Sequence, residues 1–404
     1  MTTTKNNEHK KLNAPNLKDK GNGIRNVPNL RFPEFEGEWK KCKVSDLLDF
    51  YSTNSLSWDK LEYGTDAIQN LHYGLIHVGL PTMIDLSKDK LPNITNGNTP
   101  KNYKLCQEGD IAFADASEDT NEVAKAVEFY KLKGKDVICG LHTIHGRDNQ
   151  QKTVVGYKGY AFSSTAFHHQ IRRIAQGTKI YSINSKNFSE CYIGIPSKEE
   201  QKKIATLLRL IDERIATQSK IIDKLQSLIK GLRNQLFNND KDWRIAKIRE
   251  LLCIGNGKDY KHLGIGDIPV YGTGGKMLSV NDYLYDGDSV CIGRKGTIDT
   301  PLFLTGKFWT VDTLFYTYGF KDILPKFCYY LFKQINWQLY NEGTVVPSLS
   351  KSTVENIKVR IPSIIQQHKI CYILDCYEDK IKSEGLILDL YCSQKQYLLR
   401  QMFV

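Results

Sequence analysis

The residues of this chain that come nearest to metal chemistry are histidines, in His142-Thr143-Ile144-His145 and in the pair His168-His169. Neighbouring side chains of a strand point to opposite faces, and no carboxylate cluster accompanies either group, so no bound metal is expected. Ten cysteines are spread over 404 residues without one C-x-x-C pair. They read as reduced, mostly buried thiols that build neither a disulfide scaffold nor a structural zinc site.

Other catalytic signatures are missing. Each Gly-Lys pair (Gly134-Lys135, Gly257-Lys258, Gly275-Lys276, Gly306-Lys307) is followed by something other than Ser or Thr, which removes a P-loop. The clusters Gly255-x-Gly257, Gly264-x-Gly266 and Gly272-x-Gly274 lack the third glycine of a dinucleotide fingerprint and read as turns. No two prolines are adjacent, so the Pro-Pro-aromatic motif of adenine and cytosine amino-methyltransferases cannot form. No proline precedes an aspartate, which removes the usual nuclease form of Pro-Asp with Asp/Glu-x-Lys. Catalysis is expected to be absent from this chain.

What positions the remaining residues is a long internal repeat, a feature to be sought before single motifs. At an offset of 166, Gly177-Thr178 matches Gly343-Thr344, Ser182 matches Ser348, and Ile195-Pro196-Ser197 matches Ile361-Pro362-Ser363. The gapless register continues from Gln201/Gln367 through Ile215/Ile381 and Asp223/Asp389 to Phe237/Phe403. Each half also opens alike, Trp39-Lys40 resembling Trp243-Arg244, and Gly109-Asp110-Ile111 resembles Gly287-Asp288-Ser289, at other offsets. The changing offsets mean that the interiors of the halves differ. The organisation expected is a polar, basic, disordered tail (1–26), a variable domain (27–195), a constant helix (196–237), a second variable domain (238–361) and a second constant helix (362–404).

The constant segments carry helix start signals. Ser197-x-x-Glu200 and Ser363-x-x-Gln366 fit the capping box. Apolar residues then recur in steps of three and four at Ile204, Leu208, Ile211, Ile215, Ile222, Leu225, Ile229 and Leu232. The second segment repeats the pattern at Ile370, Leu374, Tyr377, Ile381, Leu388, Tyr391 and Leu398. These are coiled-coil seams, broken by Gln218 in the first and by Glu384 and Lys395 in the second. The simplest way to bury both is against each other. Short β-branched or aromatic runs bounded by Gly and Asp supply strands elsewhere, so the fold class expected is α/β, with two globular domains joined by an antiparallel coiled coil in a pseudo-twofold arrangement.

Composition sets outer limits. Hydrophobic residues make up 41%, charged residues 25%, and mean hydropathy is −0.41, with no apolar run near the roughly 18 residues of a membrane span. The polar, basic start reads as neither signal peptide nor anchor, and a cytoplasmic location is expected. The formal charge is +11, of which residues 1–31 carry +5, so bulk charge says little about where an anionic partner would bind.

At these residues the chain resembles the specificity (S) subunit of type I restriction-modification systems. The resemblance covers about residues 27–404. It rests on Leu30-Arg31-Phe32-Pro33-Glu34-Phe35 with Trp39, on Ile195 to Gln201 and Ile361-Pro362-Ser363 with Gln366-Gln367, and on Gly293-Arg294-Lys295-Gly296-Thr297 followed by Val311 to Phe315. The second constant segment departs from the family's Glu-Glu-Gln by reading Ile364-Ile365-Gln366-Gln367. The resemblance implies a non-catalytic subunit whose two target-recognition domains each read half of a split, asymmetric site on double-stranded DNA, with the helices fixing the spacing. It further implies two N6-adenine methyltransferase subunits as partners, to which two motor-nuclease subunits can be added. S-adenosylmethionine, ATP and Mg²⁺ would belong to those partners, and no cofactor to this chain. A stand-alone DNA-modifying enzyme with an unfamiliar active site is the alternative.

Base readout favours Arg or Lys on guanine and Asn or Gln on adenine, and glycine-flanked basic loops let backbone approach the duplex. The DNA-binding candidates are therefore Gly274, Gly275, Lys276, Arg294, Lys295 and Thr297 in the second domain. In the first they are His142, Thr143, Arg147, Lys158, His168, His169, Arg172 and Arg173. Gly177-Thr178 and Gly343-Thr344 recur in both domains, which suits a scaffold or phosphate role and not base choice.

Overall fold

The structure, a computed structural model, describes residues 26–238 and 243–404. The segment expected as a tail, 1–26, lies outside the described residues apart from Asn26. The chain divides into two compact units, one of residues 1–214 with 391–404 and one of residues 215–390. Each long helix contributes to both.

The two kinds of sequence match meet in a pair of small ladders. In the first unit Lys40–Lys43 pairs antiparallel with Tyr192–Ile195, Lys40 opposite Ile195. In the second, Arg244–Lys247 pairs with Lys358–Ile361, Arg244 opposite Ile361. The residue after the repeated tryptophan thus lies across from the isoleucine of Ile-Pro-Ser in both. Proline at the next position has no N–H to extend the ladder, and the helix starts beyond it.

The interiors differ, as the offsets require. The first unit holds a five-stranded sheet in the order Asp49–Tyr51, Thr143–Arg147, Ile111–Ala114, Ala126–Lys131, Met83–Asp85, with a four-stranded sheet containing Val137–Cys139 beside Gln69–Leu71. The second holds two four-stranded sheets, one centred on Leu314–Tyr318 and Ser289–Gly293, the other on Ile265–Gly272 and Lys307–Thr310. Pairing is mixed, with Met83–Asp85 on Ala126–Lys131 parallel and most other ladders antiparallel. Continuous burial of Ile111–Ala114 and of Ser289–Gly293 places these two strands at the centre of their domains.

The long helices run over Lys198–Asn238 and Ile364–Gln401. At the second start the capping box closes: the Gln366 amide N–H donates to Ser363 Oγ at 3.4 Å, and Ser363 N–H donates to Gln366 Oε1 at 3.3 Å. At the first only half of it forms. Glu200 N–H reaches Ser197 Oγ at 3.3 Å, but the Glu200 carboxylate is taken by Arg31 at 2.7 and 2.8 Å and by the Trp39 indole at 3.3 Å. A buried carboxylate gains more from a guanidinium than from one amide.

Within each unit the helices lie antiparallel. In the first, Lys395 Nζ meets Asp212 at 2.6 Å and Arg214 lies over the Tyr391 ring. In the second, Ile370 and Leu374 share a core with Phe237, against which Ile229 and Leu232 pack, while Glu384 meets Gln218. Ile204, Leu208, Ile211, Ile370, Leu374 and Leu398 are buried, each contributing about 2 kcal/mol by leaving water. Ile215, Ile222, Leu225, Tyr377, Ile381, Leu388 and Tyr391 are half-buried, as expected of a two-helix seam open on its flanks.

Candidate nucleic-acid interface

One glutamine in each repeat ties its helix to its domain with the same three bonds. Gln201 Nε2 donates to the carbonyls of Pro196 (3.0 Å) and Lys152 (3.2 Å), and its Oε1 accepts from Val154 N–H at 2.8 Å. Gln367 donates to Pro362 (3.0 Å) and Asp322 (2.9 Å) and accepts from Leu324 N–H at 2.8 Å. Both are buried. A side-chain amide with donors and an acceptor at fixed angles is suited to clamp an extended loop segment by both its N–H and C=O.

The repeated glycines shape a second common part. A Cβ on Gly177 would strike the carbonyl oxygen of Ile180, and one on Gly343 would strike that of Val346, three residues on in each case. Both loops are then closed by equivalent pairs: Gln176 N–H donates to Ser182 O at 2.9 Å, and Glu342 N–H to Ser348 O at 2.9 Å. Each loop docks on the segment that follows the central strand. Ser182 pairs with Ala116 and Tyr181 with Ser117 in the first unit; Ser348 pairs with Lys295 in the second. Counting from the shared Gly-Asp, Ser117 and Lys295 are the same position, so the two loops dock on matching segments with the pairing of the repeated serine shifted by one residue. Both units therefore have one common corner on which unlike side chains stand.

In the second unit that corner gathers the proposed loops. The turn Gly293 to Thr297 is held by Arg294 N–H on Thr313 O (2.8 Å) and Gly296 N–H on Pro347 O (2.8 Å). Gly296 has φ +93°, the left-handed region that glycine tolerates. A Cβ there would lie 3.9 Å from Thr273 Oγ1, at the tip of the hairpin formed by Ile265–Gly272 and Gly275–Val280. Arg294, Lys295, Thr297, Gly274 and Lys276 are exposed and Gly275 is half-buried, so this candidate set occupies one neighbourhood.

The first unit sorts its candidates. His142 is exposed beside the corner, its Nδ1 3.2 Å from Asp115 Oδ1 and its ring 5.2 Å from Tyr73. Tyr73 continues to His77, whose Nε2 is 2.9 Å from Ala116 O, and to His72 and Trp58 at 4.7 and 4.4 Å ring separations. Arg172 joins from the Thr165–Ile174 helix by donating to Asn121 at 3.0 Å; His169 and Arg173 on that helix are exposed, and His168 is half-buried. The aromatic run Trp58, His72, Tyr73 was not foreseen, although His72-Tyr73 at the end of a buried strand is a visible signal.

Three of the candidates are turned inward. Arg147 is buried and grips Asp110 through Nε and Nη2 at 2.7 Å each, with Leu105 O at 2.8 Å. Burial alone would raise the Asp110 carboxyl, but Arg147 and His145 outweigh it and hold it below the usual range. Lys158 is buried 3.3 Å from Glu128, whose carboxylate also accepts from Gly156 and Gly159 N–H. Thr143 is buried and donates to Gly140 O at 2.6 Å. These groups spend their charge and hydrogen bonds inside the domain, since an unpaired buried charge costs far more than a solvated one.

The sequence model for the type I restriction modification DNA specificity domain matches residues 90–227 and again 240–389. The chain belongs to this family: it is a specificity subunit of a type I restriction-modification system, with two DNA-recognition domains. The MjaVIII type I specificity subunit of Methanocaldococcus jannaschii is 23% identical, over 68% of this chain and 79% of the relative. The putative MjaX specificity subunit of the same organism is 22% identical, over 88% and 91%. The crystal structure of a type I S subunit from M. genitalium shares the fold at a TM-score of 0.58 and 18% identity, covering 94% of this chain and 99% of that one. A chain from a structure of type I system assembly and conformational transition does so at 0.56 and 13%, covering 89% and 96%. Among the described residues no helix is long and apolar enough to cross a membrane.

Proposed function

We propose that each domain reads one half of a bipartite, asymmetric site on double-stranded DNA and that the paired helices set the unread gap. The observation that carries this reading is the common corner with unlike contents: a shared Gly-Thr loop and a shared glutamine clamp present Arg294, Lys295 and Lys276 in one unit and His142, Arg172 and an aromatic run in the other. Arg and Lys suit guanine edges and phosphates; aromatic and imidazole rings suit stacking or groove contact.

In this reading the chain is non-catalytic and recruits two methyltransferase subunits, which bring S-adenosylmethionine, and two motor-nuclease subunits, which bring ATP and Mg²⁺. Two equivalent repeats offer two equivalent docking surfaces to one kind of partner. Exposed Leu386 and Leu390 on the second helix and exposed Leu210 on the first support a partner along the helices.

Inserting seven residues at matching points of both helices tests the spacing. At about 1.5 Å per residue the insertion adds about 10 Å, or about three base pairs at roughly 3.4 Å each. Methylated adenines mapped in a host carrying the complete system should show both half-sites unchanged and a gap longer by about three pairs. A changed half-site with the original gap would overturn the proposal.

A further inference from the structure

Three side chains, Cys106, Cys139 and His145, converge inside the first unit. Cys106 lies before the central strand, its N–H bonded to Val137 O at 2.8 Å; Cys139 ends the strand Val137–Cys139, and His145 lies on Thr143–Arg147. The two sulfurs are 3.6 Å apart, and the two Sγ atoms and an imidazole nitrogen all lie within 4.8 Å of one another. All three residues are buried, His145 fully. His145 Nε2 is committed to Asp110 at 2.7 Å, and Asp110 is locked by Arg147. Its buried Nδ1 has no hydrogen-bond partner in the protein.

We propose that Cys106, Cys139 and His145 bind a thiophilic divalent cation, Zn²⁺ by preference, through two thiolates and Nδ1. Four-coordinate zinc with sulfur at about 2.3 Å sets ligand sulfurs about 3.7 Å apart, close to the separation present here. The carboxylate on the far nitrogen is the outer partner that ligating histidines usually have, and it leaves the Nδ1 lone pair free to ligate. Charge balances too. Zn²⁺ with two thiolates and a neutral imidazole carries none, beside an Asp110–Arg147 pair that cancels itself, so the buried cluster holds no net charge. Binding releases the two thiol protons to solvent, and with three protein ligands the fourth coordination position is open. The corresponding region of the second unit has no such trio among the described residues. The site would pin Cys106 and Cys139 against the strand that carries Thr143 and His145, stiffening the interior of that domain.

The test is titration of reduced, chelator-stripped full-length chain with Co²⁺. The expected result is a thiolate-to-cobalt charge-transfer band that saturates at one equivalent and is displaced by Zn²⁺. Cys106→Ser and Cys139→Ser should each weaken Co²⁺ binding by more than tenfold, and Asp110→Asn by 10- to 100-fold. Cys253→Ser and Cys376→Ser, at exposed thiols, should leave the band unchanged. Absence of the band in the unmodified chain would overturn the proposal, as would its persistence in a Cys106→Ser/Cys139→Ser double variant. Zinc-edge absorption on the unmodified chain reads the same question without a variant: two sulfurs at about 2.3 Å and a nitrogen at about 2.0 Å support it, and a shell of four sulfurs or of oxygen and nitrogen alone refutes it.

Discussion

Gln218 and Glu384, which occupy the same position of the repeat 166 residues apart, touch each other. The Gln218 amide donates to the Glu384 carbonyl at 3.0 Å and to its carboxylate, and both residues are buried. Equivalent positions of two antiparallel helices can meet only where their pairing is centred, so this contact marks the register of the coil. Each residue interrupts its own apolar stripe; together they satisfy one another. Polar residues buried once in a seam are known to specify register at some expense of stability.

Replacing one partner should therefore do more harm than replacing both. Gln218→Leu leaves a buried carboxylate with only Lys380, the group that contributes most to holding the Glu384 carboxyl below its usual value. Thermal unfolding should fall by a few degrees in Gln218→Leu and recover, or rise above the parent, in Gln218→Leu/Glu384→Leu. Equal melting of the single and double variants would show that the pair does not act as a unit.

The glutamine clamps predict a matched pair of losses. Gln201→Ala and Gln367→Ala each strand two carbonyls and one amide, and each should cost about 3 kcal/mol in denaturant unfolding. Hydrogen exchange should locate the loosening near 152–154 in the first variant and near 322–324 in the second. A loss under about 0.5 kcal/mol in either would mean that water replaces the clamp.

If Arg294 and Lys295 meet DNA, their alanine variants should affect one half-site only. Arg294→Ala should weaken binding of the assembled complex by about 1–3 kcal/mol and relax methylation at the half-site of the second domain. A variant that removes only a phosphate contact should lower the salt slope by about one, with specificity kept. Relaxation at both half-sites would contradict assignment of one half to one domain.

Burial, helped by nearby Arg172 and Lys125 against Glu122, holds the His168 imidazole below its usual value near 6.5. The unfolded chain takes up this proton at higher pH than the folded one. The stability tied to His168 is thus whole above about pH 6.5 and is lost as pH falls toward the folded value. Unfolding measured from pH 7.5 to 5 should decline less steeply in His168→Phe than in the parent. An unchanged slope would place the titration elsewhere.

How much of this was legible beforehand depended on separation along the chain. Seams, helix starts and the shared Trp and Ile-Pro-Ser segments are local or repeated, and the helices they announce are present at Lys198–Asn238 and Ile364–Gln401. Gln218, Glu384 and Lys395 read as flaws because their partners sit on the other helix. Arg147 and Lys158 read as surface cations for the same reason: Asp110 and Glu128 lie 37 and 30 residues away, and residue type alone does not show which carboxylate a cation will meet. In the Cys106, Cys139 and His145 cluster the two cysteines lie 33 residues apart, so a search for C-x-x-C pairs passes over it.

The small ladders have a further consequence. Because Lys40 lies opposite Ile195, and Arg244 opposite Ile361, the chain enters and leaves each recognition domain side by side. A domain so bounded behaves as a cassette. A crossover near Trp243 and another within Ile361-Pro362-Ser363 would exchange the second domain whole, with its own Gly-Thr loop, and keep the first domain and both long helices. On the proposed reading, such an exchange would alter one half-site and leave the other, so a new specificity would need no new reader.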